Sequence, residues 1–320
     1  MNRLIIGTRG SPLAMWQAGW IAEALRPSAA GLAIELKVIT THGDRSLESA
    51  ERALGKGVFT KELELALLEG SIDLSVHSLK DLPISLPQGL VLASVPLRED
   101  PAEALVSRSG CLEDLPDGAT ILCGSLRRQA QVLARRPDLK IKPIRGNIGT
   151  RLAKFDASSA SAMILARAGL VRLGLEGRIS SRLDPQDFLP AAGQGALAVQ
   201  CRADDRRVRR LVESIDEPLA RVATDCERAV LAGLGGGCRL PVGAYARFDD
   251  DGATLTVSAM AAAPNGSPML KDTLQKGPCQ TTQAARELGL KLADRLRAAG
   301  ADGFLRQFNS PSRPEAEDPP

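Results

Sequence analysis

The stretch Gly235-Gly236-Gly237-Cys238, followed at once by Arg239 and Leu240, puts a thiol where covalent chemistry is possible. Glycines leave the backbone open on one side, so a large group can reach the sulfur, and the adjacent cation favours the nucleophilic thiolate. The loop reads as an attachment point. The same residues also fit an inert cysteine acting as a small hydrophobe, and locally both readings stay open. A second candidate is Asp81, an isolated loop acid beside Lys80. Flanking positive charge keeps such a carboxylate ionised, suited to stabilising a developing cation or holding an ammonium group. Ser78-x-x-Asp81 also has the form of a capping box that would only fix the turn. The third feature is a run of arginines placed after strands: Arg9, then Arg127 and Arg128 behind Ser125, then Arg145, with Arg151 and Arg172 expected to begin helices. In doubly wound sheets ligands sit at the carboxyl ends of strands, where helix N-termini add partial positive charge. Singly, each arginine fits an ordinary surface ion pair. Together their guanidinium forks call for a ligand with several carboxylate or phosphate groups.

Composition limits the alternatives. With 320 residues, 44% hydrophobic and 25% charged, the chain fits a protein of two or three domains with ordinary cores. Aromatic residues are only 3% and the net charge is +3, which argues against a base-stacking nucleic-acid surface or a polyanion partner. Six cysteines occur without a C-x-x-C pair, so neither a zinc ribbon nor a disulfide framework is indicated. The only histidines are His42 and His77, too few for a His-rich metal centre, and no metal site is expected. The sequence enters a strand directly after Met-Asn-Arg, with no cleavable leader and no membrane-length apolar run, and its unpaired thiols suggest the cytosol, so a cytoplasmic protein is expected; it is also expected to be a monomer.

The elements that must carry these residues alternate between strand and helix. A strand over 4–7 leads through Ser11, an N-cap, and Pro12 into a helix ending at Leu25. Further strands are expected at 34–38, 72–76, 119–123, 140–144, 161–166 and 196–201, with a helix over 60–69 stopped by Gly70. This order implies largely parallel sheets with helices on both faces. Pro-bearing links at 95–101 and 187–195 divide two α/β lobes with a cleft between them. From about Glu217 a helix precedes the Gly-Cys loop, then come a hairpin over 241–248 and 253–262 and a helix over 282–298. The tail 310–320 is rich in Pro and acids and is expected to be disordered.

Several strings, in order over about residues 4–245, closely resemble the porphobilinogen deaminase family. They include Thr8-Arg9-Gly10-Ser11-Pro12, Gly55-Lys56-Gly57-Val58-Phe59-Thr60-Lys61, His77-Ser78-Leu79-Lys80-Asp81-Leu82-Pro83, Arg98-Glu99-Asp100-Pro101, Ser125-Leu126-Arg127-Arg128, Arg145-Gly146-Asn147-Ile148-Gly149-Thr150-Arg151, Ala192-Gly193-Gln194-Gly195 and Gly236-Gly237-Cys238. The resemblance implies a dipyrromethane cofactor joined by a thioether to Cys238, onto which four porphobilinogen units are condensed head to tail with loss of ammonia. It implies Asp81 as the catalytic carboxylate, and Lys80, Ser125, Arg127 and Arg128, with Asp81, as cofactor-binding residues. Arg9, Ser11, Arg145, Arg151 and Arg172 would bind substrate carboxylates, and Lys56 and Phe59 fall in a loop segment able to cover the cleft.

The chain departs from the family pattern in three places: Cys123 replaces a usual threonine, Arg52 a frequent lysine, and His42 the usual Arg or Lys. The implied architecture is two lobes like those of periplasmic binding proteins, 1–96 with 196–213 and 101–189, plus an α+β domain over 217–308 presenting Cys238. Those lobes supply the alternative, a non-catalytic binding protein for a polycarboxylate, which would normally be exported.

Overall fold

The computed structural model describes residues 3–29, 31–41, 60–96, 98–236 and 240–309. Strand β1 (Arg3–Thr8) buries Leu4 and Ile6 and runs into α1 (Pro12–Leu25). Ser11 caps that helix by accepting a hydrogen bond from the Ala14 amide, and Pro12 sits in the first turn, where its missing N–H costs nothing. There follow β2 (Ala33–Val38), α2 (Lys61–Leu68), β3 (Leu74–Ser78) and β4 (Leu90–Ser94). With β10 (Leu197–Arg202) they form a five-stranded sheet in the order β2-β1-β3-β10-β4, and α6 (Arg206–Glu213) adds Val208 and Val212 to its core.

A second five-stranded sheet, ordered β7-β6-β8-β5-β9, is built from β5 (Glu103–Ser107), β6 (Thr120–Leu122), β7 (Lys140–Lys142), β8 (Ala162–Ala166) and β9 (Ser181–Leu183). Its helices are α3 (Leu126–Arg135), α4 (Ile148–Asp156) and α5 (Arg167–Arg172). Neither sheet is all parallel: β10 is antiparallel to β3 and β4, and β5 is antiparallel to β8 and β9. The physical reason lies in the connections. β5 and β10 are the strands entered from the interlobe links, so no helical crossover fixes their direction.

The remaining unit consists of α7 (Pro218–Gly233), the sheet β11 (Val242–Phe248), β12 (Leu255–Ala262) and β13 (Met269–Lys276), then α8 (Thr282–Ala298) and α9 (Asp302–Asn309). The expected hairpin is present but gains β13 as a third, antiparallel strand. Cys226 and Val230 on α7, Leu255 and Val257 on β12, and Leu292 on α8 share its core. Among the described residues no helix is long and apolar enough to cross a membrane.

The two links pass one another closely. Gly195 has φ +87°, and a Cβ there would fall 2.1 Å from the Glu99 carbonyl oxygen, so only glycine fits. The Gln194 amide group donates to the Pro101 carbonyl at 2.7 Å, and Arg98 Nε donates to the Gln194 carbonyl at 2.9 Å. Arg98 also forms a two-pronged ion pair with Glu227 of α7, at 2.8 and 3.1 Å. Glu227, fully buried, accepts further hydrogen bonds from the amides of Gly193 and Ala246. One carboxylate thus ties both links to the third unit, and its four donors offset the cost of burying the charge.

Candidate functional site

A cleft of about 810 Å³, within the range of ligand-binding cavities, opens where the strand ends of both sheets face the links. Arg9 and Ser11 reach it from the β1–α1 turn, Lys80 and Asp81 from the turn after β3, and Ser125, Arg127 and Arg128 from the start of α3. Arg145, Arg151 and Arg172 line it as well. Every sequence-derived candidate that falls within the described residues therefore lies on one cavity wall. Cys238, Lys56 and Phe59, like Arg52 and His42, lie outside the described residues. Leu231 and Leu240, which bracket the Gly-Cys loop along the chain, both line the cleft.

The turn carrying Asp81 is held from both sides. Leu79 and Leu82 are buried, the Leu79 amide donates to the Ala196 carbonyl, and Arg228 of α7 donates to the carbonyls of Leu82 and Pro83. Asp81 is exposed between them. The capping box is not formed: Ser78 makes no side-chain cap, and its hydroxyl oxygen instead accepts from Gln17 Nε2 at 2.8 Å. Lys80 donates to Gln194 Oε1 at 3.2 Å, and burial pulls its pKa down to about 8 against the opposing attraction of Asp81.

Behind the arginines sits a group that the sequence did not single out. Glu103, fully buried in β5, accepts from Arg127 Nη2 through Oε1 at 2.6 Å and from Arg128 Nη2 through Oε2 at 2.7 Å. Burial works against its charge, but Arg128 and Arg127 hold its carboxyl down at about 2. The two arginines are further fixed by the carbonyls of Leu189 (2.7 Å) and Ile164 (3.2 Å). Leucine at either position would strip one compensating charge from this carboxylate, a loss of about 3–5 kcal/mol in stability. Those positions therefore test ligand binding only with stability measured alongside.

Ser125 occupies the N-cap position of α3 without making a capping bond, so its hydroxyl remains available at a helix end that favours anions. Ser11 uses one lone pair of its oxygen as a cap and keeps its proton to donate. Arg151 donates through Nε to the Gly146 carbonyl at 2.7 Å; burial, then Arg128 and Arg145, depress its pKa. Arg172 ends helix α5 rather than beginning one, because the helix already starts at Arg167 directly after β8 and Gly174, at φ +67°, follows its close. It donates to the Gly195 carbonyl at 2.6 Å, stacks 5.7 Å from the Trp16 ring, and burial pushes its pKa down to about 10. Cys123, in place of the family's threonine, is buried, with its thiol 3.4 Å from the Ser125 carbonyl and its pKa raised by burial.

Seven cations, Arg9, Lys80, Arg127, Arg128, Arg145, Arg151 and Arg172, thus face Asp81 at the wall and Glu103 behind it, a surplus of five positive charges. Arg128 Nε is buried and has no protein partner among the described residues. The fold and site together define a two-lobed α/β protein whose cleft is lined by a surplus of cations.

The chain belongs to the porphobilinogen deaminase family. Residues 4–210 match the family model described as "Porphobilinogen deaminase, dipyromethane cofactor binding domain", and residues 222–298 match "Porphobilinogen deaminase, C-terminal domain". The family's dipyrromethane cofactor, with an acetate and a propionate on each pyrrole, fits the cationic surplus of the cleft. Among solved structures, a nutrient-binding protein from Burkholderia cenocepacia bound to methionine is 14% identical over 68% of this chain and 93% of its own, with TM-score 0.43. The VFT2 domain of BvgS from Bordetella pertussis is 15% identical over 67% and 85%, with TM-score 0.41.

Proposed function

We propose that this protein condenses four porphobilinogen molecules head to tail, releasing ammonia, to give the linear tetrapyrrole hydroxymethylbilane on a dipyrromethane primer carried by Cys238. The observation that carries the reading is the seven-cation cleft wall with Asp81 exposed on it, inside a segment of the family's cofactor-binding type. When bound, dipyrromethane supplies the free pyrrole carbon from which a chain can grow. Lys80, Ser125, Arg127 and Arg128 would hold its carboxylates, and Arg9, Ser11, Arg145, Arg151 and Arg172 those of incoming porphobilinogen. Asp81 would stabilise the positive charge that develops as ammonia departs, from a turn held rigid by Leu79, Leu82 and Arg228. The five cysteines within the described residues support the assignment of the linkage to Cys238. Burial raises the thiol pKa of Cys123, Cys201, Cys226 and Cys279, and the Asp114 hydrogen bond raises that of Cys111.

Arg145 and Arg151 give the cleaner test, since neither pairs with Glu103. A charge-assisted contact contributes about 1.5–3 kcal/mol. Arg145→Leu and Arg151→Leu should therefore each raise KM for porphobilinogen about ten-fold or more while melting near wild type. Ammonia release and tetrapyrrole formation, followed together, read this out. Wild-type KM in both variants, or no ammonia from the native protein, would overturn the reading.

Lys80 adds a pH signature. Its folded pKa lies near 8, below the ordinary 10.5, so it binds anions as a full cation only below about pH 8 and loses that charge as pH rises through 8. Its grip on the cofactor's carboxylates should accordingly loosen above pH 8, so the melting advantage of cofactor-loaded over unloaded protein should shrink there. In Lys80→Arg, whose guanidinium stays protonated, that advantage should persist. Superimposable curves of the advantage against pH for the two proteins would remove Lys80 from cofactor binding.

A further inference from the structure

Resting on that proposed function, we infer that Glu103 is a positioning residue for the reaction: it sets Arg127 and Arg128 side by side so that their remaining donors meet the ligand carboxylates. Two guanidinium groups this close repel, and Arg128 does depress the pKa of Arg127, after burial the main force acting against its charge. The carboxylate between them removes that repulsion and divides itself evenly, Oε1 to one arginine and Oε2 to the other. Each guanidinium then turns its Nη1 to a fixed backbone carbonyl, Leu189 for Arg127 and Ile164 for Arg128. Two of the five N–H donors on each fork are thereby occupied, which fixes the plane of each guanidinium at the cleft. Both arginines line the cleft, and Arg128 Nε makes no hydrogen bond among the described residues.

The placement of Glu103 adds a second layer. It is the first residue of β5, next to the link that carries Arg98 to Pro101, while Leu189 belongs to the other link. Gln131 of α3 grips Leu189 from both sides, accepting from its amide at 2.7 Å and donating to its carbonyl at 3.0 Å. The cleft arginines are therefore braced against the roots of both interlobe links.

The experiment compares Glu103→Gln, Glu103→Asp and the double variant Glu103→Gln/Arg127→Leu with wild type and Arg127→Leu. Three quantities are read: the fraction of purified protein carrying the cofactor by intact mass, KM for porphobilinogen, and the thermal midpoint. Glutamine keeps the length but turns a donor toward one guanidinium; aspartate keeps the charge but falls one methylene short of bridging both. Each single variant should load incompletely and show KM raised about ten-fold. In the Arg127→Leu background, Glu103→Gln should add little further, because its effect runs through that arginine. A purely structural role predicts lowered melting with wild-type loading and KM, and that result overturns the inference. So does full additivity in the double variant, or failure of the charge-retaining aspartate variant to fold. If Glu103→Gln alone does not fold, Glu103→Asp and the double variant decide. A wild-type protein with no added mass breaks the proposed function itself; a loaded wild type with variants that behave like it breaks only the role of Glu103.

Discussion

Active protein purified from cells is expected to weigh more than its sequence by two linked pyrrole units, and Cys238→Ser is expected to match its sequence mass and be inactive. Each of the five cysteines among the described residues has its thiol pKa raised. Cys201, for example, is pushed up to about 11 by burial, far from a usable thiolate at neutral pH. Cys238 stands two residues before Leu240, a cleft-lining residue, and next to a cation. A serine hydroxyl is a far weaker nucleophile at neutral pH, so the substitution removes the linkage while leaving the fold intact. The variant should also melt lower than wild type, because the surplus positive charge of the cleft then lacks its anionic partner and the stabilisation by a bound group is lost. An unmodified mass for active wild-type protein would remove the central claim and favour the non-catalytic binding protein.

The parts of this molecule that could be read from its sequence are those with a local signature. Ser11 before Pro12 fixes the start of α1, and the glycines around Cys238 and the arginines after strands are visible in one dimension. Glu103 was not. It lies between Ala102 and Ala104 like any strand residue, and its meaning depends on Arg127 and Arg128, which the fold brings across from another element. Glu227 was missed for the same reason, since its partners Arg98, Gly193 and Ala246 come from three separate segments. β13 escaped because Lys271, Asp272 and Lys276 on an edge strand read as a linker until β12 pairs with them. Strand direction in β5 and β10 was likewise a property of the links and not of the strands. Local pattern gave the cationic wall; only the fold shows that one carboxylate bridges Arg127 and Arg128 within it.

Asp81→Asn is expected to separate chemistry from assembly. The substitution preserves shape and most hydrogen bonding, so folding and cofactor loading should survive, and the turn should remain held by Leu79, Leu82 and Arg228. What disappears is the negative charge on a wall otherwise lined by cations. In that setting positive charge developing on a pyrrole meets repulsion from every charged group lining the cleft except Asp81, so its carboxylate should matter more than one carboxylate would in water. Removal of a single preorganised electrostatic stabiliser costs about 10² to 10³ in turnover. A structural Asp81 predicts otherwise, because asparagine caps turns about as well as aspartate. The structure already weakens that reading, since Ser78 is engaged by Gln17 and makes no cap. Thermal midpoint and single-turnover ammonia release from the cofactor-loaded variant discriminate: unchanged melting with slow release assigns Asp81 to the chemical step, whereas release at the wild-type rate would sink the assignment.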